Sequence, residues 1–237
     1  MIISFKYKFI FIKNYKTAGS SIETYLYDFL NSKDIIAHTN DNNGINFRGD
    51  FDQTSLLENF SKSYATKCIE RKWLFFAHMP LWLVKERIEL LSEKLKIDIF
   101  NEFFKFGIIR NPYDLVVSDY LWNNNKENHL RNNHNFEEII NEIENNKFST
   151  FRLFNINRLS SKDSKDLLCD SVLSFENLNE DLDKTFKLLK IPFDGKLKIF
   201  KKKFKKNKHF TEYYSNKTKK IIEKFFEKEI NYFNYTF

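Results

Sequence analysis

Glycine, proline and cysteine are scarce in this chain. Its 237 residues include 5 Gly and 3 Pro, which excludes collagen-like repeats and linker-like sequences. The two cysteines, Cys68 and Cys169, are too far apart to suggest a disulfide framework or a paired-cysteine metal site, so a reducing compartment is expected. No apolar run approaches the roughly 20 residues that a membrane-spanning helix needs.

The first residues lack the features of a targeting signal. The segment MIISFKYKFIFIK is interrupted by Lys6 and Lys8 and has no small-residue cleavage site, so it is a poor signal peptide. Its aromatic and β-branched residues favour a strand instead. We therefore expect a cytoplasmic protein with no integral membrane segment.

The composition is that of a globular protein with a basic surface. Hydrophobic residues make up 42% of the chain, including 27 Phe, which is enough to form a core and excludes wholesale disorder. The net charge is +7, which suits an anionic partner, although a bias toward Lys and Asn explains it as well. Only 7 of the 39 basic residues are Arg, so nucleic acid, which is read by forked Arg contacts, is not expected as a partner.

The order of apolar patterns predicts the fold. Short aromatic and β-branched runs predict strands at 7–12, 73–77, 103–109 and 170–175. Helical spacing predicts helices at 20–30, 80–95, 112–122, 136–143, 178–189 and 216–230. Strands that alternate with helices are typical of an α/β fold with a central parallel sheet flanked by helices. Without a linker-like segment, we expect a single domain over residues 1–237.

The first candidate site lies between a strand and a helix. It is the run Lys16–Ser21, KTAGSS. A helix that begins there directs free backbone N–H groups and a positive dipole end at the carboxyl edge of the sheet, which favours an anion. The run is a P-loop-like cradle but no Walker A loop, because Lys16 precedes the only glycine, Gly19. A capped helix with a surface lysine is the alternative.

The second candidate site follows the strand predicted at 103–109. Arg110 comes directly after that strand, and Ser118 lies about two turns into the helix that Pro112 begins. Arg110 can fork onto a phosphate while the Ser118 hydroxyl donates a second hydrogen bond. The alternative is that Arg110 pairs with Asp114 to hold the turn.

Taken together, KTAGSS and RNPYDLVVSDY resemble the sulfotransferase superfamily. In that family the first loop binds the 5′-phosphosulfate of 3′-phosphoadenosine-5′-phosphosulfate (PAPS), and the Arg and Ser of the second motif bind the 3′-phosphate. The resemblance assigns the first role to Lys16, Thr17, Ala18, Gly19, Ser20 and Ser21, and the second to Arg110 and Ser118.

Two further segments fit the same superfamily, and the second of them resembles its carbohydrate branch. Residues 172–178, VLSFENL, resemble a segment that follows a late strand of the family, and the chain ends in a helix and an aromatic tail. The resemblance implies a hydroxyl acceptor, either a carbohydrate or glycolipid or another small molecule. The glycine-rich loop of the cytosolic small-molecule enzymes is missing, and the run Lys196–Lys208, with eight Lys, stands in its place. That run would cover an anion or would form a solvated surface.

Sulfuryl transfer needs a base for the acceptor hydroxyl and positive charge for the leaving phosphate. His78, which follows the strand predicted at 73–77, is the first candidate base, since glycan 2-O-sulfotransferases that the chain resembles use a His at a comparable place. Glu23, one turn into the cradle helix, is its rival or an orienting partner. Lys16 would stabilise the leaving oxygen. No metal is expected, because no cluster of ligands is visible.

Two other classes of function remain open on sequence grounds. A nucleotide kinase or NTPase would use the same cradle, but the GK[ST] element and a clear Mg²⁺-binding acid are missing. A non-catalytic module would bind an anionic glycan or nucleic acid through the lysine run, with binding that collapses in salt. The acceptor and the oligomeric state do not follow from the sequence.

Overall fold

The computed structural model describes residues 1–31, 33–37, 47–48, 75, 77–124, 135–145, 153–198 and 207–237. The strands are β1 (Ile2–Ser4), β2 (Phe9–Ile12), β3 (Ile35–Ala37), β4 (Phe47–Arg48), β5 (Phe104–Ile109) and β6 (Ser171–Ser174). The helices are α1 (Gly19–Tyr27), α2 (Leu81–Leu95), α3 (Ile99–Glu102), α4 (Pro112–Asn123), α5 (Phe136–Glu144), α6 (Asn155–Leu159), α7 (Leu178–Leu188), α8 (Asn216–Phe225) and α9 (Glu227–Phe233). None of the helices within these ranges is long and apolar enough to cross a membrane.

The six strands form one mixed sheet in the order β4-β3-β1-β2-β5-β6. Only β2, β5 and β6 pair in parallel, while β1 pairs antiparallel with both β2 and β3, and β3 with β4. The α/β class is confirmed, but the expectation of a parallel sheet was wrong for the β1 side. Four residues separate β1 from β2, and a connection that short permits only an antiparallel hairpin.

The opening segment shows why one predicted strand became two. Instead of a single strand, it forms the β1–β2 hairpin, in which Ile3 pairs with Ile10. Lys8 in the turn has φ 51°, a left-handed conformation that turns often need. Both lysines that interrupt the apolar run, Lys6 and Lys8, lie between the strands, so the charges mark the turn.

The other predicted helices and strands are found with two exceptions, while β3, β4, α3 and α6 were not predicted. The helix predicted over 216–230 is divided into α8 and α9, which meet at Phe226. The strand predicted over 73–77 falls largely outside the described residues; Phe75 and Ala77, which are described, lie in no strand. The asparagine-rich stretch 123–135, whose polar sequence predicts an exposed loop, also lies mostly outside them.

Apolar side chains cover both faces of the central strands. Along β2, Ile10 and Ile12 pack into one cluster with α2, while Phe9 and Phe11 pack into another with α1 and α7. Because successive strand residues point to opposite faces, an uninterrupted apolar run is what a strand buried on both sides requires. A third cluster joins α4, α5 and α8. The carboxyl ends of β2 and β5 therefore open side by side at one edge of a rigid sheet.

Gly107 in β5 permits close packing of α6 on the sheet. A Cβ atom there would lie 2.3 Å from Leu159 Cδ2 and 3.3 Å from Leu159 Cγ, and Leu159 is fully buried. We expect Gly107→Ala to lower the free energy of unfolding by about 1–3 kcal/mol, as overpacking of a core does. Urea denaturation measures the change. The double variant with Leu159→Ala should lose less than the sum of the two single variants, and strict additivity would contradict this packing.

Candidate active site

The candidate site forms where β2 and β5 end side by side. Ile12 of β2 pairs in parallel with Gly107 of β5, so the segments that follow the two strands leave the sheet as neighbours. In parallel sheets this carboxyl edge is where ligands bind. The first segment runs into α1 and the second into α4.

The backbone of the first segment adopts an unusual conformation for residues with side chains. Lys16 has φ 58° and Ala18 has φ 60°, although the left-handed region is costly for residues other than glycine. Strain of this kind is concentrated at functional sites, where the surrounding structure maintains it. Turns of this kind make concave anion-binding sites lined by backbone N–H groups.

Helix α1 begins in this segment with unused hydrogen-bond donors. Its N-cap residue is Ala18, and no side chain caps it. The N–H groups of Ser21 and Ile22 bond to the Ala18 carbonyl, whereas those of Gly19 and Ser20 donate no hydrogen bond within the described part of the chain. Such free donors and the helix dipole together favour an anion.

Gly19 leaves room for a lysine beneath the loop. A Cβ atom on Gly19 would lie 2.6 Å from Lys13 Cγ. The Lys13 side chain passes this point to form a buried ion pair with Glu23 in α1. Gly19 is therefore needed because the Lys13 side chain passes close to its backbone. The same lack of a side chain would let a ligand approach.

Glu23 is an ion-pair partner in this structure. One carboxylate oxygen accepts from the Met1 amine at 2.5 Å, and the other accepts from Lys13 Nζ. Burial opposes ionisation, but the Met1 amine and the Lys13 ammonium outweigh it and hold the pKa of Glu23 below its ordinary value. A carboxylate with a lowered pKa is a weak proton acceptor, so this geometry favours an orienting role for Glu23 over the role of base.

Arg110 joins the second segment to the first. Its Nη1 donates to the Lys16 carbonyl at 2.7 Å and to Ser118 Oγ at 3.1 Å. The turn interaction considered from sequence also forms, because Nε and Nη2 donate to Asp114 Oδ2 at 2.9 and 2.6 Å. The two interpretations are therefore compatible, since Asp114 orients the guanidinium whose other edge faces the cradle.

The segment after β6 supports this arginine. The Phe175 ring lies under the Arg110 guanidinium at 4.0 Å, and the Phe175 N–H donates to the Ile109 carbonyl at 2.8 Å. Next to it, Glu176 accepts from the Asn111 N–H at 2.7 Å. The FENL segment thus fixes the turn that carries Arg110.

The sequence model of the sulfotransferase family matches residues 1–236. The chain belongs to the sulfotransferase family. Comparison with curated proteins and with solved structures gave no match. Membership establishes a transferase of sulfuryl groups.

His78 of this sulfotransferase lies against the first segment. Its Nδ1 is 3.0 Å from the Lys13 carbonyl oxygen, and its ring stacks on Tyr15 with 3.8 Å between centroids. A carbonyl oxygen only accepts, so Nδ1 carries the proton and Nε2 of the neutral ring keeps its lone pair. Burial, followed by the positive charges of Lys13 and Arg158, holds the pKa of His78 well below its ordinary value.

The other predicted site residues are held in several ways. The Lys16 ammonium lies over the Trp122 ring at 4.4 Å. The Thr17 hydroxyl is buried and donates to the Asn14 carbonyl at 3.3 Å, so it closes the loop from inside. Ser21 is also buried, whereas Ser20 is partly exposed at the start of α1.

Three of the remaining histidines and most of the lysine run fall outside the described residues. They are His38, His129, His134 and most of the run Lys196–Lys208. Within the described ranges, no group of three or more His, Cys, Asp or Glu side chains is placed to hold a metal ion. The aromatic tail packs on α4, where Phe237 contacts Tyr113 with 5.0 Å between ring centroids.

Three residues at the site were missed from the sequence. Lys13 and Tyr15 adjoin the cradle motif and could have been found from that position. Arg158 comes from α6, in a region that resembles nothing recognisable, so no sequence signal marked it. Its guanidinium donates to the His78 carbonyl and lies 4.9 Å from the Tyr15 ring centroid.

Glu229 of α9 holds the start of the helix that carries Arg158. Its Oε1 accepts from the Ile156 N–H at 2.5 Å, and its Oε2 is buried without a hydrogen-bond partner. Burial raises the pKa of Glu229 to about 8. The unfolded chain loses this proton at lower pH than the folded one, so folding stability falls as pH rises from the ordinary carboxyl range to that value.

We expect Glu229→Gln to remove this dependence on pH. Between about pH 5 and pH 8 the wild type should lose on the order of 3 kcal/mol of unfolding free energy more than the variant. Urea titrations of both proteins at several pH values measure the difference. Parallel stability profiles for the two proteins would contradict the raised pKa.

Proposed function

We propose that this sulfotransferase uses PAPS as its donor and transfers the sulfuryl group to a hydroxyl of a carbohydrate or glycolipid acceptor. The observation that carries the proposal is the pair of hydrogen bonds from Arg110 Nη1 to the Lys16 carbonyl and to Ser118 Oγ. They bring two segments suited to anions into one site. A donor with a phosphosulfate at one end and a phosphate at the other has the charges that such a site would hold.

The donors left over at Arg110 suit a phosphate. Of its five N–H groups, two bond to Asp114 and two to Lys16 and Ser118. One N–H of Nη2 therefore has no acceptor within the described residues, and the Ser118 hydroxyl accepts from Arg110 while keeping its own proton to donate. An ionised guanidinium and a hydroxyl aligned in this way are typical phosphate ligands. The cradle would hold the other end through the N–H groups of Gly19 and Ser20.

His78 would act as the base. The Nδ1 hydrogen bond to Lys13 directs the lone pair to Nε2, and the lowered pKa keeps the ring neutral at physiological pH. A neutral imidazole can take the acceptor proton as the hydroxyl attacks in line. Lys16 would neutralise charge on the leaving phosphate. When bound, PAPS supplies the sulfuryl group and leaves as adenosine 3′,5′-bisphosphate.

The carbohydrate acceptor is supported by fewer observations than the PAPS donor is. It is supported by the resemblance of the C-terminal helix and aromatic tail to the carbohydrate branch. We expect two segments that resemble nothing recognisable, 31–70 and 123–168, to choose the acceptor; 31–70 lies largely outside the described residues, whereas more than half of 123–168 is described. The proposal includes a cytoplasmic location and no nucleic-acid partner.

The donor is tested by a thermal titration with adenosine 3′,5′-bisphosphate. At about 100 times its dissociation constant, a ligand stabilises the fold by roughly 2.7 kcal/mol, which for a chain of this size raises Tm by about 5–10 °C. We expect that rise with the bisphosphate and none with ATP and Mg²⁺. The reverse result would identify a nucleotide kinase or NTPase. No rise with either, together with salt-sensitive glycan binding, would identify a binding module.

Transfer itself is tested by mass spectrometry. With PAPS and a panel of glycans and glycolipids, one product should gain the mass of a sulfuryl group as the bisphosphate accumulates. If the bisphosphate accumulates only when small phenols are the acceptors, that result would contradict the carbohydrate acceptor but not the assignment of PAPS as the donor.

A further inference from the structure

Helix α6 is held in place by contacts with three other parts of the chain. The Asn14 amide, which follows β2, donates to the Asn155 carbonyl at 3.2 Å and to the Ile108 carbonyl at 2.8 Å. On the opposite side Leu159 packs where Gly107 has no side chain. Glu229 holds the first turn from α9. These contacts hold α6 next to the end of β2, although the two elements are far apart in the sequence.

Arg158 reaches from this helix to the candidate base. Its Nη1 donates to the backbone carbonyl of His78. The same guanidinium lies over one face of the Tyr15 ring at 4.9 Å, and Tyr15 stacks on the imidazole at an interplanar angle of 13°. One arginine therefore contacts both the backbone of His78 and the ring that lies flat against its side chain.

The backbone of His78 needs such support. Its φ is 62°, in the left-handed region that is unfavourable for a residue with a Cβ atom. A conformation of this kind persists only where neighbouring contacts maintain it. Within the described residues, two polar contacts do so. Arg158 donates to the His78 carbonyl, and the Lys13 carbonyl accepts from His78 Nδ1.

We infer that Arg158 is a positioning residue for the base: it holds the His78 backbone and the Tyr15 ring so that the imidazole keeps one orientation, with Nε2 available to the acceptor hydroxyl. The inference rests on the proposed function for its catalytic consequence. In this role Arg158 need not contact either substrate.

Arg158 also affects the charge state of His78. Among the described residues, the charges that act on this imidazole are those of Lys13, Arg158 and the Met1 amine, and the uncharged Tyr15 ring covers one face. All three charges are positive and disfavour an imidazolium. Removing the Arg158 charge should therefore raise the pKa of His78, whereas a lysine at the same place should largely preserve it.

The kinetic test compares Arg158→Gln with Arg158→Lys. The glutamine variant should lower kcat by about 10- to 100-fold, the loss that a misplaced catalytic group causes. Its KM for the acceptor and its Kd for the bisphosphate should stay within about twofold of wild type. The acid limb of its pH profile should move to higher pH, while the lysine variant keeps the wild-type limb and recovers part of kcat. Lys165→Gln removes an exposed lysine from the loop after α6 and should behave as wild type.

A second readout needs no turnover. The Cε1–H signal of His78, assigned by its absence in His78→Asn, reports the imidazole pKa by NMR titration. It should titrate at higher pH in Arg158→Gln than in wild type and Arg158→Lys. If wild type transfers no sulfuryl group, the proposed function fails while this titration still tests Arg158. An unchanged titration, or a loss confined to the acceptor KM, would overturn the positioning role.

Discussion

Replacing His78 with Asn is expected to lower kcat by about 10²–10⁴-fold, the usual contribution of general-base catalysis. Asparagine is chosen because it tolerates the left-handed φ of this position, and its amide can replace the Nδ1 donor to the Lys13 carbonyl. The variant should therefore fold and bind adenosine 3′,5′-bisphosphate as wild type does. Initial rates and a bisphosphate titration measure the two effects separately.

The control for this variant is His209→Asn. His209 is exposed, and its Nδ1 is 2.8 Å from Thr211 Oγ1 in a local turn. Its replacement should change kcat by less than about twofold, since surface substitutions away from special features have small effects. If His78→Asn keeps wild-type turnover, His78 is not the base.

The pH dependence of turnover follows from the same residue. Because burial and the neighbouring positive charges lower the pKa of His78, its ring stays neutral at pH values where an ordinary histidine is protonated. Activity should therefore persist below about pH 6.5, the ordinary value, and fall only at more acidic pH. The sign for stability is the same: the unfolded chain gains a proton that the folded one excludes, so stability declines as pH falls.

Replacing Arg110 is expected to weaken adenosine 3′,5′-bisphosphate binding by about 10- to 100-fold, equivalent to the 1.5–3 kcal/mol of a hydrogen bond to a charged group. Arg110→Gln removes the charge and the forked donor that we assign to the phosphate. Calorimetric titration measures the Kd. Ser118→Ala should weaken binding less, because it removes one neutral donor and leaves the guanidinium in place.

The single Arg110 variant also removes the ion pair between Arg110 and the Asp114 carboxylate. The side chains of Arg110 and Asp114 are 8% and 14% exposed, so loss of this largely buried ion pair through one partner alone would lower stability. The double variant Arg110→Gln with Asp114→Asn removes both charges and separates the two effects. It should recover stability without recovering affinity. Wild-type affinity in the folded double variant would exclude Arg110 from the donor site.

The sequence alone predicted the elements that depend on local chemistry. The apolar run of β2 is followed by a glycine and hydroxyl residues, and Pro112 begins α4 directly after Arg110. Each pattern is read within about ten residues, where capping, turn formation and periodicity act. For the same reason the family could be named from short motifs, and the match over residues 1–236 confirms it.

Other features depended on contacts between distant residues. Predicting the mixed sheet would have required knowing that β3 returns to the outer edge of β1. The alternation of strands and helices does not specify which edge a strand joins. The Lys13–Glu23 pair, and the Tyr15 ring and three positive charges around His78, likewise bring together separate parts of the chain.

Local pattern therefore determined which segments would carry the chemistry, and tertiary structure decided how each side chain is held. Arg158 shows the difference most clearly. It lies 80 residues from His78 in sequence, on a five-residue helix whose position is set by Asn14, Glu229 and the missing side chain of Gly107. A long-range contact of this kind leaves no period or motif in a single sequence, because the residues that create it are brought together only when the sheet and helices pack.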